Sequence, residues 1–200
     1  MKQPPVLFAC SHHRKGNSDL AADLFLEGIQ RAGGNAEIVT LGNLDFHHCI
    51  GCLKCRTSEN NLCIFAAKDE AQELYLKIIH APFTFFASPI YFYHLPSRLK
   101  TFIDRSQWAF EAMNQSAPQL CTLPARPSYA CFIAGRPKGE KLFEGAELSL
   151  KFCLKFFKAS LEPPITFKGI DSPQDLKSQP DKCELLIQAG INAWERSLQA

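Results

Sequence analysis

The chain has 200 residues, of which 46% are hydrophobic and 21% charged, enough for one domain with a sizeable core. Its 22 basic and 20 acidic residues leave a net charge of only +2, which argues against binding to a nucleic-acid backbone. The N-terminal segment is a poor secretory signal, and no apolar run approaches the roughly 18 residues that span a membrane. We therefore expect a soluble, cytoplasmic protein that binds neither nucleic acid nor a membrane.

Short apolar runs alternate along the chain with longer segments of helical periodicity. Residues 5–10 are a continuous apolar run that predicts a buried strand, and a polar loop follows at 11–17. Apolar residues at helical spacing predict a helix over 18–32, which two glycines end. Residues 36–41 predict a second strand, after which a cysteine-rich segment at about 45–66 interrupts the alternation.

The alternation resumes after the cysteine-rich segment. Helices are predicted over 67–80, 95–110, 140–160 and 181–198, and strands over 82–87, 128–134 and 164–167. Five strands alternating with five helices predict an α/β protein with a parallel sheet that is covered on both faces. Because no linker or repeat divides the chain, we predict a single domain over residues 1–200 with a Cys-rich insertion at about 45–66.

The loop after the first predicted strand has the composition of an anion-binding loop. Gly16 permits a tight turn, and Asn17 or Ser18 is a suitable helix cap. The hydroxyls of Ser11 and Ser18, free backbone N–H groups and the helix dipole together suit a phosphate, provided that Asp19 points aside. The chain lacks a P-loop and a dinucleotide-binding glycine pattern. A polar strand-to-helix loop without a ligand is the alternative.

The loop after the third predicted strand is aromatic and rigid. Residues 88–96 read SPIYFYHLP, with three aromatic residues between two prolines. Aromatic faces on a stiff backbone suit a flat heteroaromatic ring. A ring platform and one phosphate loop together indicate a mononucleotide. The alternative, compatible with the first, is an aromatic cluster beneath a dimer interface.

Four of the nine cysteines form a C-x2-C-x2-C-x7-C pattern: Cys49, Cys52, Cys55 and Cys63. Thiolates at this spacing can bind the irons of one 4Fe-4S cluster. Zinc is an alternative, with His47 and His48 available for a mixed site, although structural zinc more often uses two separated ligand pairs. The remaining cysteines are interpreted as small buried hydrophobic residues, namely Cys10, Cys121, Cys131, Cys153 and Cys183.

Three segments together resemble a known family: SHHRKGNS at 11–18, CIGCLKC at 49–55 and SPIYFYHLPSRLKTFIDR at 88–105. They are similar to the flavodoxin-like NAD(P)H-dependent FMN reductases and, more narrowly, to the iron-sulfur flavoprotein branch of that family. The resemblance covers residues from about 5 to 135. It implies a flavodoxin-like fold with strand order 2-1-3-4-5, FMN as cofactor, NAD(P)H as electron donor, and a homodimer or dimer of dimers with the flavins near the interface.

The resemblance also implies a set of cofactor-binding residues. Residues of the first loop would hold the FMN phosphate, residues 89–93 would border the isoalloxazine ring, and the residue after the fourth strand would lie near it. The predicted residues are Ser11, Arg14, Gly16, Asn17, Ser18, Pro89, Ile90, Tyr91, Phe92, Tyr93 and Gly135. His12 stands where the family commonly has a proline, which affects the shape of the first loop and the roles of His13 and Arg14. After Cys63 the family often has paired aspartates, and the stretch Lys68-Asp69-Glu70 stands near that place.

The resemblance allows two interpretations of the role of the four cysteines. In the iron-sulfur branch they are ligands of a 4Fe-4S cluster, whereas in related FMN reductases they are thiols that line the entrance to the flavin. In the segment 99–105, charges of alternating sign lie on one face of the predicted helix and apolar residues on the other, which is typical of a surface helix or a dimer interface; a catalytic role is the alternative. We therefore interpret that segment as structural and assign no catalytic acid or base.

We expect an FMN-dependent oxidoreductase that takes electrons from NAD(P)H or a reduced carrier and passes them to a flavin, a quinone or another acceptor. The alternative is an iron-sulfur flavoprotein that carries electrons between FMN, a 4Fe-4S cluster and a ferredoxin-like partner. A flavin or redox sensor that only binds its ligand is a third hypothesis.

Overall fold

A parallel β-sheet forms the centre of the molecule in the computed structural model, which describes residues 3–199. Its strands follow the order β2-β1-β3-β4-β5, and a sixth strand, β6, also pairs with β4. The strands are β1 (Val6–Ala9), β2 (Glu37–Thr40), β3 (Thr84–Pro89), β4 (Arg126–Ala134), β5 (Ala159–Leu161) and β6 (Ile165–Lys168). The predicted strand order is confirmed.

Helices cover both faces of this sheet. They are α1 (Asn17–Arg31), α2 (Lys54–Thr57), α3 (Ala71–His80), α4 (Ser97–Arg105), α5 (Gln107–Asn114), α6 (Pro118–Cys121), α7 (Glu144–Lys155) and α8 (Pro180–Leu198). The core under α3, α4, α5 and α7 includes Phe8, which stacks on Phe86 at 4.7 Å between ring centres. The core under α1 and α8 includes Phe25, which stacks on Phe85 at 4.0 Å.

The close packing of α1 against α8 depends on two glycines. A Cβ atom at Gly28 would lie 2.0 Å from the backbone oxygen of Ile187 on α8. A Cβ atom at Gly190 would lie 2.1 Å from the backbone oxygen of Phe25 on α1. Because each helix presents a glycine at the crossing point, the two backbones approach more closely than larger side chains would permit.

The fifth strand position differs from the prediction, which placed one strand over 164–167. Two short strands occupy it in series: β5 pairs with the first residues of β4, and β6 pairs with the last. Pro163 and Pro164 lie between β5 and β6. Proline has no N–H to donate to the sheet, so the pairing is interrupted there.

Three predicted helices also have different bounds. The helix predicted over 95–110 is divided into α4 and α5 at Ser106, whose hydroxyl donates to the carbonyl oxygen of Ile103 at 2.6 Å. The helix predicted over 140–160 ends at Lys155, because Ala159 and Ser160 belong to β5. The helix predicted over 67–80 begins only at Ala71.

Candidate active site

A cleft of about 690 Å³ opens at the carboxyl ends of β1, β3 and β4. The loops after these three strands form its walls, as is usual for ligand sites in open parallel sheets. Ten of the eleven residues predicted to bind the cofactor line the cleft: Ser11, Gly16, Asn17, Ser18, Pro89, Ile90, Tyr91, Phe92, Tyr93 and Gly135. Arg14 is exposed and is not among the residues that line it.

The first wall is the loop from β1 to α1, which exposes backbone N–H groups. Ser11 Oγ accepts a hydrogen bond from the His13 N–H at 3.0 Å, and Lys15 turns the chain with a φ of 57°. The cap residue of α1 is Gly16, not Asn17 or Ser18 as predicted, and it makes no side-chain cap hydrogen bond. The first turn of α1 therefore lacks a side-chain acceptor of its own and suits an anionic ligand.

The Asn17 side chain has a structural role. Its Nδ2 donates to the carbonyl oxygen of Ser172 at 2.9 Å, and its Oδ1 accepts from the Leu176 N–H at 3.1 Å. These bonds attach the start of α1 to the loop after β6, and Asp171 and Pro173 of that loop line the cleft. Because both ends of the amide are engaged, Asn17 can offer a ligand in the cleft only its backbone N–H.

Asp19 points away from the cleft, as a phosphate at the start of α1 requires. Its Oδ2 accepts a hydrogen bond from the Lys15 N–H at 2.6 Å. The Asp19 side chain lines a neighbouring hollow together with Asp23. Partial burial, and secondly the negative charge of Asp19, raise the pKa of the Asp23 carboxyl. The negative charge of Asp19 therefore faces that hollow and not the anion-binding turn.

The second wall is a tight turn at the end of β3. Tyr91 and His94 exchange backbone hydrogen bonds of 2.9 Å, while Phe92 and Tyr93 adopt φ values of 50° and 65°. Two consecutive left-handed residues that are not glycine are strained, a feature that clusters at ligand sites. The His94 ring fixes the turn to α7, since its Nδ1 accepts from the Leu95 N–H and its Nε2 lies 3.1 Å from Ser149 Oγ. The turn leaves the Phe92 ring fully exposed at the rim of the cleft.

The third wall follows β4 and was predicted only through Gly135. A Cβ atom at Gly135 would lie 2.4 Å from a carboxylate oxygen of Asp171, so a larger residue would displace that side chain. The Arg136 guanidinium lies over the Tyr93 ring at 5.6 Å and joins the second and third walls. No periodicity or motif pointed to Arg136 and Asp171, because they approach the cleft from different loops.

The four cysteines of the C-x2-C-x2-C-x7-C pattern line a separate small cavity of about 20 Å³. None of them lines the large cleft, so they are not thiols at its entrance. All four are free, and burial together with neighbouring Cys63 and Glu111 raises the pKa of the Cys55 thiol. Over residues 3–199, no three His, Cys, Asp or Glu side chains are arranged to hold a metal ion.

A buried ion pair lies beside this cavity. Arg105 Nη1 is 2.7 Å from Asp69 Oδ2, and the two side chains are only 1% and 2% exposed. Although burial opposes ionisation, hydrogen bonds from Arg105 and His47 lower the pKa of Asp69 to about 2. The prediction of a surface helix was therefore wrong for Arg105, while Lys100 and Asp104 do form an exposed pair.

His47 does not contribute to the cysteine cavity, and neither does His48. The His47 ring stacks on Phe65 at 4.5 Å, and its Nδ1 lies 3.0 Å from Asp69 Oδ2. The structure therefore gives no support to a zinc site that combines these histidines with the cysteines.

Two N–H groups next to the cysteines have no hydrogen-bond partner among the described residues. Arg105 Nε and Trp108 Nε1 are both buried, and both side chains line the cysteine cavity. Leaving a buried donor unpaired costs about 1–3 kcal/mol. Four thiols and two unpaired donors fit a group that binds cysteine sulfur and presents further acceptor atoms, although the cavity would have to widen to hold a cluster.

Comparison with known proteins agrees with this geometry. The sequence model for NADPH-dependent FMN reductases matches residues 6–117. The chain belongs to this family. An iron-sulfur flavoprotein of Archaeoglobus fulgidus is 27% identical over 95 residues, which are 48% of this chain and 41% of that protein. An iron-sulfur flavoprotein of Methanocaldococcus jannaschii is 30% identical over 93 residues, which are 46% of each chain.

These matches span less than half the length of both relatives. Among solved structures, an NAD(P)H:quinone oxidoreductase from Methanothermobacter marburgensis is 20% identical, with a TM-score of 0.71 over 94% of both chains. This likeness confirms the flavodoxin-like fold of this FMN reductase family member. Within residues 3–199, no helix combines the length and the apolar character needed to cross a bilayer.

Proposed function

We propose that the cleft binds FMN. The observation that carries this proposal is that three loops, distant in sequence, meet around one space of about 690 Å³. The phosphate would lie at the uncapped first turn of α1, and the ring would lie against residues 89–93. Membership of the FMN reductase family supports the same cofactor.

The activity we propose is oxidation of NAD(P)H and transfer of the electrons to a flavin, a quinone or another acceptor. FMN, when bound, accepts hydride and releases electrons, while the protein supplies position and electrostatics. The residues of this chain bind and orient the ring: the rigid turn at 91–94 borders it, and Gly135 leaves space beside it. Phe92 is fully exposed at the rim, where it would contact a nicotinamide or an acceptor that approaches the bound ring.

Stopped-flow absorption tests this activity. Protein saturated with FMN is mixed anaerobically with NADPH or NADH, and the flavin band is followed near its visible maximum. Bleaching much faster than that of free FMN at the same concentration is the expected result. If the chain does not retain FMN, or the bound flavin bleaches no faster than free FMN, the proposed activity is wrong.

A second candidate function is electron transfer through a 4Fe-4S cluster held by Cys49, Cys52, Cys55 and Cys63. Its support is that these four thiols line one cavity beside two unpaired N–H donors. Two relatives are named iron-sulfur flavoproteins. A ferredoxin-like protein would then exchange electrons with this chain. Iron, acid-labile sulfide and zinc, assayed in protein purified without oxygen, decide between a cluster, zinc and free thiols.

We also propose a homodimer or a dimer of dimers. On α7, Leu148 and Phe152 are 69% and 56% exposed, one turn apart on the same side of the helix. Exposed apolar surface of this kind is typical of interfaces. Light scattering is expected to give two or four chains, and Phe152→Asp should yield monomers. Leu185→Asp, at an exposed position on α8, is the control and should leave the oligomeric state unchanged. A monomeric wild type would contradict the proposal.

A further inference from the structure

The two unpaired donors beside the cysteines are held in fixed positions. The terminal nitrogens of Arg105 are already engaged, since Nη1 donates to Asp69 and to the His47 carbonyl oxygen at 2.8 Å, and Nη2 donates to Asp69. The Trp108 ring packs edge-on against Tyr75 and Phe157, with ring centres 5.8 Å and 6.1 Å apart. These contacts oppose any rotation of either side chain that would direct its N–H to another acceptor.

The acceptor must therefore come to the place where both side chains meet the cysteines. Arg105 and Trp108 line the cavity of Cys49, Cys52, Cys55 and Cys63, and they belong to the end of α4 and the start of α5. Sulfur is the acceptor atom that the four cysteines bring to this cavity. Metal-bound thiolate and sulfide carry negative charge and accept N–H hydrogen bonds.

We propose that Arg105 Nε and Trp108 Nε1 donate hydrogen bonds to the sulfur of a cluster bound at this site and raise its reduction potential. This inference rests on the second candidate function. Reduction adds negative charge to the sulfur atoms, so N–H donors stabilise the reduced form more than the oxidised form. The ionised Asp69 balances the charge of Arg105, which leaves the N–H dipole as its main contribution.

The test compares two matched variants in protein purified or reconstituted with iron and sulfide without oxygen. Trp108→Phe removes the N–H of interest, whereas Trp194→Phe makes the same change on α8, where the ring packs against Gly34. We expect Trp108→Phe to weaken the reduced form about tenfold relative to the oxidised form, which lowers the midpoint potential by about 59 mV for one electron. Trp194→Phe is expected to leave the potential unchanged.

A second measurement uses the wild-type protein and does not depend on the folding of a variant. Labelling with ¹⁵N-tryptophan gives two indole N–H resonances, because the chain has two tryptophans. The paramagnetic centre should shift or broaden the Trp108 resonance and leave that of Trp194, assigned from Trp194→Phe, in place.

Each outcome is decisive. A lower potential in Trp108→Phe alone, with a selective effect on the Trp108 resonance, supports the inference. If the protein contains iron but both variants have the same midpoint potential, or the Trp108 resonance is unaffected, the inference is wrong. The cluster itself is then still present, and the second candidate function is not contradicted. Wild-type protein without iron and sulfide overturns the inference and the second candidate function together, and leaves the FMN-dependent activity to its own test.

Discussion

Replacing Asp69 with alanine should destabilise the protein strongly, because it leaves Arg105 buried without a counter-ion. The Asp69 carboxylate accepts hydrogen bonds from Arg105 and from the backbone N–H groups of His47 and Ala71. Removing one partner of a buried ion pair costs about 3–5 kcal/mol. The exposed pair of Lys100 and Asp104 is the control, since its side chains are 41% and 49% exposed and such pairs contribute about 0.5 kcal/mol.

The assay is urea unfolding followed by circular dichroism at neutral pH. Asp69→Ala is expected to lower the free energy of unfolding by about 3–5 kcal/mol, and Asp104→Ala by about 0.5 kcal/mol or less. The double variant Asp69→Ala, Arg105→Met should be more stable than Asp69→Ala alone, because it removes the unpaired charge. Equal effects of the two aspartate substitutions would refute the reasoning.

The same ion pair predicts a dependence of stability on pH. The pKa of Asp69 is about 2 in the folded protein, below its ordinary value of 3.8. A lowered carboxyl pKa contributes stability that is present above about pH 4 and is lost as the pH falls towards 2. The difference corresponds to about 2 kcal/mol. In Asp69→Asn this contribution should be absent, so its unfolding free energy should fall less steeply than that of the wild type over this interval.

Three further substitutions test the cleft, the helix crossing and the cysteine cavity. Ser18→Glu should abolish the retention of FMN through gel filtration without unfolding the protein, while the control Ser160→Glu on β5 should retain FMN. Stoichiometric flavin in Ser18→Glu would contradict the proposed position of the phosphate. Gly28→Ala should lower the free energy of unfolding by about 1–3 kcal/mol, because its Cβ would lie 2.0 Å from a backbone oxygen of α8; an unchanged urea midpoint would refute the close crossing. Cys55→Ser should lose iron and keep FMN, whereas Cys121→Ser should keep both; unchanged iron in Cys55→Ser would exclude it as a ligand.

Local patterns in the sequence were sufficient to predict the sheet and the position of the cleft. Apolar runs of strand length alternate with helical periodicity, which predicts a parallel sheet, and the family resemblance implies its strand order. Once the strand order is known, the loops after β1, β3 and β4 must meet at one edge of the sheet. The residues that the family resemblance assigned to the cofactor belong to these loops, and ten of the eleven line one cleft.

Sequence patterns failed where a side chain has a partner far along the chain. Arg105 follows a charge pattern typical of a surface helix, yet its carboxylate partner, Asp69, lies 36 residues away. Asn17 has the composition of a helix cap, but its amide binds a loop more than 150 residues away. No local periodicity reports such pairs, because the energy of a buried polar group depends on what the fold brings to it.

The sequence by itself determined the fold class, the loops that form the cleft and the grouping of four cysteines, since these depend on local periodicity and spacing. The strand order came from the resemblance of the sequence to the FMN reductases. Only the tertiary structure decided which polar groups are paired and which are left over. It buried Arg105 against Asp69 and turned Asp19 away from the cleft. It also left Arg105 Nε and Trp108 Nε1, beside the cysteines, without a hydrogen-bond partner within residues 3–199. The physical reason is that hydrogen bonds and burial are set by distances in space, which residues far apart in sequence acquire only when the sheet and its helices have packed.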